Sequence, residues 1–204
     1  MSESKYTSFP ETGLPMRFKK AFDLAREAHL LVDNDTADFA QFWHFHPVKM
    51  AEEAMAAKLD DHAVMAAILH DVVDSTPMTM DHVERAVDWE VASLLYEISW
   101  PMALQFDVDG ALQSEYVDHL LKASAPAQSV KLLDLIQTLI HLGTKKHALA
   151  VHYANAVKPL IEVLHPQGSP LKTRALYICK WASRVLYERQ VNHYGLVPAS
   201  AEML

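Results

Sequence analysis

Apolar residues recur every three or four positions along most of this 204-residue chain, a spacing that predicts helices joined by short connections. The predicted segments are 16–31, 47–58, 61–74, 80–98, 111–123, 127–142, 146–164 and 170–192. Alternating strand patterns are nearly absent, and 5 glycines leave the periodic stretches largely uninterrupted. Several segments carry end signals. Asp60 or Asp61 can cap the third, Ser75-Thr76-Pro77 stops it, Thr79 starts the fourth, and Pro101, Pro126 and Gly168-Ser169-Pro170 fall in breaks. The prediction is an all-α bundle of about eight to ten helices.

No repeat, low-complexity tract or linker divides the chain, so the expectation is a single domain over 1–204 with loose termini at 1–14 and 196–204. Two further stretches read as loose, 32–45 and 99–110, and the first of them leads directly into His46.

Composition narrows the function. The chain is 50% hydrophobic, which suffices for a substantial core. Its apolar residues are dispersed, with no run long enough to span a membrane and no basic-then-apolar start of a secretory signal, so a soluble cytoplasmic protein without a membrane partner is expected. The lone Cys179 lies in a helical pattern and reads as a small buried apolar residue rather than a reactive thiol, in keeping with a reducing compartment. A formal net charge of -8 argues against a general nucleic-acid polymer as partner, because that affinity comes from clustered Lys and Arg. It leaves room for a small phosphorylated ligand held by a metal and a few local cations, and 12 histidines offer ligands.

The pair His70-Asp71 closes the apolar stretch AVMAAILHDVVDST, where neighbouring side chains of a helix point about 100° apart. Alone, such a pair is also ordinary helix-end chemistry. His46 precedes Pro47, and proline suits the first turn of a helix, so His46 is expected at a helix N-terminus. Asp134 lies in SVKLLDLIQTLIHL and has two readings. It is either a solvated residue on a polar stripe with Lys131 and Gln137, or a buried carboxylate that needs a cation, since burial unpaired costs several kcal/mol.

Taken in order, HPVKMAEEA, AAILHDVVDST, TMDHVERAVDWEVASLLYEIS and SVKLLDLIQTL resemble the HD-domain hydrolases of stringent-response alarmones, within the RelA/SpoT homologue superfamily. The resemblance runs from about residue 16 to 143, more weakly through KWASRVLYERQ, and is nearest in size to the small alarmone hydrolases. It implies an HD-domain helical bundle in which His46, His70, Asp71 and Asp134 bind one Mn²⁺. It also implies hydrolysis of the bond between a nucleoside 3′ oxygen and its pyrophosphate. Mixed imidazole and carboxylate donors suit Mn²⁺, Fe²⁺ or Zn²⁺.

Three departures bear on the substrate. Where the family reads HDVVEDT this chain reads HDVVDST: Asp74 keeps a carboxylate, one methylene shorter, and is the candidate general base, while Ser75 cannot be a base and is a lesser catalytic candidate, Ser-Thr-Pro being ordinary helix-stop chemistry. The family's Arg-Lys pair before the HP step is missing. Asp33, Asp35 and Asp38 stand there instead, with Phe42, Trp43 and Phe45 available either to stack on a base or to close the core, and His44 two residues from His46. After Asp134, Thr138 replaces an asparagine that helps place the nucleotide. Lys131, Lys145, Lys146, Lys172 and Arg174 are candidate cations for phosphate, each with a solvated helix face as the alternative, and His62, His82 and His119 read as surface or packing residues.

The expected function is therefore a metal-dependent phosphohydrolase that removes the 3′-pyrophosphate from a nucleotide alarmone, (p)ppGpp or an adenosine analogue such as (pp)pApp. The alternatives are another HD nucleotide phosphohydrolase, or a non-catalytic nucleotide-binding regulator that keeps the metal site.

Overall fold

The structure, a computed structural model, describes residues 15–32, 46–101, 104–106, 110–145, 147–165 and 168–185. A 3₁₀ turn, Met16–Phe18, leads into α1 (Lys19–Leu30), followed by α2 (Pro47–Ala56), α3 (Asp61–Leu69) and α4 (Val72–Ser75). Then come α5 (Met80–Ala86), α6 (Trp89–Ile98), α7 (Ser114–Lys122), α8 (Ala125–Lys145), α9 (His147–Val163) and α10 (Pro170–Ala182). Among the described residues the only β-pairing is an isolated antiparallel bridge between Phe106 and Leu112, so the all-α expectation holds. No helix among them is long and apolar enough to cross a membrane.

The helix starts follow from capping chemistry. Asp60 caps α3 by accepting from Ala63 N at 2.9 Å, and Ser169 caps α10 ahead of Pro170. Thr79 opens α5 in a reciprocal box whose second partner is His82, which accepts from Thr79 N at 3.0 Å in the place usually taken by Glu or Gln. The expected packing or surface roles of three histidines follow the same lines: His82 caps, His62 is exposed, and His119 stacks on Trp100 with ring centroids 5.1 Å apart.

Two predicted segments are each two helices. The stretch 61–74 breaks at His70-Asp71, where Asp71 (φ −95°, ψ −9°) leaves the ladder before α4 begins. Hydrophobic spacing runs straight through this joint because Leu69 and Val72 both face the core, so periodicity cannot reveal it. The stretch 80–98 breaks at Val87-Asp88, and Asp88 caps α6 by accepting from Val91 N at 2.8 Å. That signal was present in the sequence as Asp-Trp-Glu. Pro126, expected in a break, sits instead in the first turn of α8, where its missing N–H costs nothing.

Two helices form the centre. In α3, Ala63 through Leu69 are all buried, the signature of a helix enclosed on every side. It packs against α1, α2, α6 and α8, while α8 also contacts α2, α6, α9 and α10. At Gly143 of α8 the Trp181 ring of α10 comes so near that an added Cβ would overlap it. The far end of α3 and the middle of α8 therefore meet deep in the bundle. Cys179 is buried, its thiol donating to Ala154 O at 3.2 Å, in accord with a packing role.

Two candidate phosphate cations are spent on this architecture. Buried Lys172 donates to Glu162 O at 2.6 Å and His165 O at 3.0 Å, closing the C-terminal end of α9. Arg174 pairs bidentately with Glu53 of α2, one arm at 3.0 Å. The Arg174 guanidinium holds Glu53 below the usual carboxylate range against the opposing effect of burial. A depressed carboxyl stabilises the fold above its unfolded pKa of about 4.3, and that stabilisation is lost as the pH falls through the folded value. Arg174→Ala should accordingly lower the urea midpoint at pH 7 and have little effect near pH 3. An equal loss at both would show that the pair acts through packing rather than charge.

Candidate metal centre and catalytic cavity

The joint between α3 and α4 delivers His70 and Asp71, the start of α2 delivers His46, and the middle of α8 delivers Asp134. His70 is 4% exposed at its side chain, and its Nδ1 lies 2.9 Å from Ala67 O. A carbonyl only accepts, so Nδ1 carries a proton toward it and Nε2 is the nitrogen turned to the other donors. This backbone anchor is the kind that orients metal-ligating histidines.

Nε2 of His46 stands 2.9 Å from Nε2 of His70, with the rings edge-on at 70°. Asp134 Oδ1 is 3.5 Å from the first and 3.7 Å from the second. Asp71 Oδ2 is 3.8 Å from His46 Nε2 and 3.4 Å from His70 Nε2. Donor atoms about 2.1 Å from a shared ion lie about 3.0–4.2 Å from one another across tetrahedral or octahedral arrangements. The separations of 2.9–3.7 Å among His46, His70 and Asp134 match. His46, His70 and Asp134 form a candidate metal site, their donor atoms all within 4.8 Å of one another, whereas Asp71 approaches the two histidines but falls outside that group.

Charge accounts for the burial of Asp134. Burial alone would raise its pKa, but the Lys131 ammonium and the His46 and His70 rings hold it well below the ordinary range. Lys131 donates to Asp134 Oδ2 at 2.7 Å, and the carboxylate in return keeps the lysine well above its usual value despite burial. Thr138 Oγ donates to Asp134 Oδ1 at 3.3 Å. Lys131, Asp134 and Gln137 thus share a face that turns inward, and the solvated-stripe reading of Asp134 is corrected. For His46, burial works against the charged form, but Asp134 and Asp71 outweigh it and raise the pKa.

The site opens into a cavity of ≈ 240 Å³ lined by these four residues together with Asp74, Lys131 and Thr138. Ile98, Gln105, Phe106 and Tyr153 complete the wall. Burial pushes the Asp74 carboxyl up, offset in part by the Trp100 N–H and by Lys131, and the same effect raises the Tyr153 phenol so that it stays protonated. Of the sequence candidates, Ser75 is exposed and does not line the cavity, and Lys145 lies exposed at the last residue of α8, also away from it. Trp43, with Asp33, Asp35, Asp38, Phe42, His44, Phe45 and Lys146, falls outside the described residues.

Gln105, Phe106 and Tyr153 escaped sequence reading. The first two sit in a stretch expected to be loose, which is tied down by Gln113 N donating to Gln105 O at 3.0 Å. Tyr153 sits in the helical pattern of α9, indistinguishable there from a packing residue. Elsewhere, His62, Asp88 and Glu90 also bring donors together. They lie toward the surface, where Asp88 already spends one oxygen capping α6.

An all-helical bundle with a His-Asp doublet joined at its centre by a histidine and an aspartate from other helices is an HD domain. The chain is homologous to the SpoT hydrolase domain and to the MESH1 hydrolase. It is 31% identical over 141 residues to the bifunctional (p)ppGpp synthase/hydrolase SpoT of Escherichia coli, a match covering 69% of this chain and 18% of SpoT. The chain therefore spans less than a fifth of that relative's length. It is 31% identical over 80 residues to the Drosophila melanogaster guanosine-3′,5′-bis(diphosphate) 3′-pyrophosphohydrolase MESH1, covering 39% of this chain and 43% of MESH1. A solved structure of a metazoan SpoT orthologue, described as hydrolysing ppGpp, superposes with a TM-score of 0.61 at 19% identity, over 91% of this chain and 99% of that one. That likeness shows the shared fold. No family model matches the chain.

Proposed function

We propose that this chain is a metal-dependent phosphohydrolase that removes the 3′-pyrophosphate from a nucleotide alarmone, with either guanine or adenine as base, and that residues 1–204 act as one domain. The observation that carries the reading is the meeting of His46, His70 and Asp134 at donor separations of 2.9–3.7 Å, with Asp71 at 3.4–3.8 Å from the two histidines. The names of SpoT and MESH1 supply the substrate class.

In this reading the quartet holds Mn²⁺ or a similar divalent ion, which when bound would acidify a water and neutralise charge on the phosphate. Asp74, kept basic by burial, takes the proton of the attacking water. The water oxygen bonds to the phosphorus attached to the ribose 3′ oxygen, that P–O bond breaks, and the 3′ oxygen leaves as a hydroxyl once protonated. The products are the nucleotide and pyrophosphate. Lys131, half-buried beside Asp134 on the cavity wall, contributes positive charge toward the pyrophosphate. Thr138, whose hydroxyl donates to Asp134 Oδ1, lies on the same wall and offers that oxygen as an acceptor to the nucleotide.

The purified chain with Mn²⁺ should release pyrophosphate from ppGpp or pppApp, and Asp71→Ala should not. Tight binding of either nucleotide without turnover, across several divalent metals, would replace this reading with that of a nucleotide-binding regulator.

A further inference from the structure

We propose that Ser99 and the backbone of Trp100, at the end of α6, form a clamp that positions Asp74 at the cavity; the inference rests on the role given to Asp74 above. α4 is only four residues long and has little stability of its own, so a side chain on it needs outside contacts to hold a fixed direction. Asp74 finds them across 26 residues of sequence, where its Oδ2 accepts from Trp100 N at 3.4 Å.

The donor is held in turn. Ser99 (φ −73°, ψ 136°) ends α6 and swings the next N–H out of the helical ladder. The Trp100 indole donates to Leu104 O at 3.0 Å, its carbonyl accepts from Gln105 Nε2 at 3.2 Å, and its ring rests against Tyr116 and His119. The Ser99 hydroxyl, one residue before the N–H that reaches Asp74, is buried without a hydrogen-bond partner and lies near the same carboxylate, whose pKa it lowers slightly. A buried hydroxyl left unpaired is costly, so a small rotation toward Asp74 is favoured. With Oδ2 occupied from the α6 side, the second carboxylate oxygen is the one available to a water in the cavity. In this chain Ser75 is exposed and offers no second carboxylate, so the orientation of Asp74 depends on α6 rather than on its neighbour in sequence.

Steady-state hydrolysis of the better of ppGpp and pppApp with Mn²⁺ tests this. Ser99→Ala should lower kcat about tenfold while leaving KM and bound Mn²⁺ within about twofold, and Ser99→Thr, which restores a hydroxyl, should return to within about threefold of the parent. Trp100→Phe keeps an aromatic ring beside Tyr116 and His119 but loses the indole N–H bond to Leu104 O, so a smaller loss of kcat is expected, and this variant serves as the reporter should Ser99→Ala fold poorly. An inactive Asp74→Asn beside a fully active Ser99→Ala overturns the clamp. Equal losses in Ser99→Ala and Ser99→Thr overturn it as well, by showing a packing role. An Asp74→Asn variant with parental turnover instead overturns the role of Asp74 itself.

Discussion

Replacing His70 with alanine is expected to abolish metal-dependent hydrolysis, with turnover falling by about three orders of magnitude or more, because several kcal/mol of charge stabilisation depend on the ion. His70 is the most deeply set of the four donors, and its Nδ1 bond to Ala67 O aims Nε2 at the other three. Bound metal, read by elemental analysis after gel filtration in Mn²⁺, should fall from one ion per chain toward none. Circular dichroism should remain helical, since the rest of α3 is untouched. A His70→Ala protein that retained both stoichiometric metal and a tenth of the parental rate would remove the metal centre from the mechanism.

Lys131→Met should cost the metal-free protein about 3–5 kcal/mol, because it leaves the buried Asp134 carboxylate without its cation at 2.7 Å. For a chain of this length the corresponding loss in Tm is roughly 6–20 °C. Two measurements separate charge from packing. Adding Asp134→Asn to Lys131→Met should recover much of the loss, since the uncompensated charge is gone. Saturating Mn²⁺ should recover part of it in the single variant, since an ion that binds only the folded state stabilises it. The sign with pH follows from the depressed Asp134 carboxyl: the pair contributes above the unfolded carboxyl pKa, and that contribution vanishes as the pH falls through the lower folded value. A single variant that melts within about 2 °C of the parent would mean that water already reaches the pair.

The substrate side of the site was much harder to read in the sequence than its metal side. His46-Pro47 and His70-Asp71 carry local signatures, a helix-start proline and a polar doublet ending an apolar run, and the structure has a helix start at the first and a helix joint at the second. Ser75 and Lys145 were nominated by position beside such signatures, and both point elsewhere, because proximity along a helix says nothing about which face meets the cavity. Arg174 and Lys172 show the same limit: each found a partner on another element, Glu53 on α2 and the carbonyl end of α9. Gln105, Phe106 and Tyr153 reached the cavity through contacts formed far away in sequence, and no local spacing encodes those.

What the sequence by itself determined was the class of structure and its local ends: helical periodicity and caps such as Asp60, Thr79 and Ser169, with the ordered quartet as candidate donors. These are properties of neighbouring residues, and neighbours interact whatever the rest of the chain does. Only the tertiary structure decided that Asp134 is buried, that Lys131 turns inward with it, and that the His70-Asp71 step is a break which lets both side chains face one centre. Those outcomes depend on α3 and α8 packing against each other, where the cost of burying a charge is offset by partners from other helices.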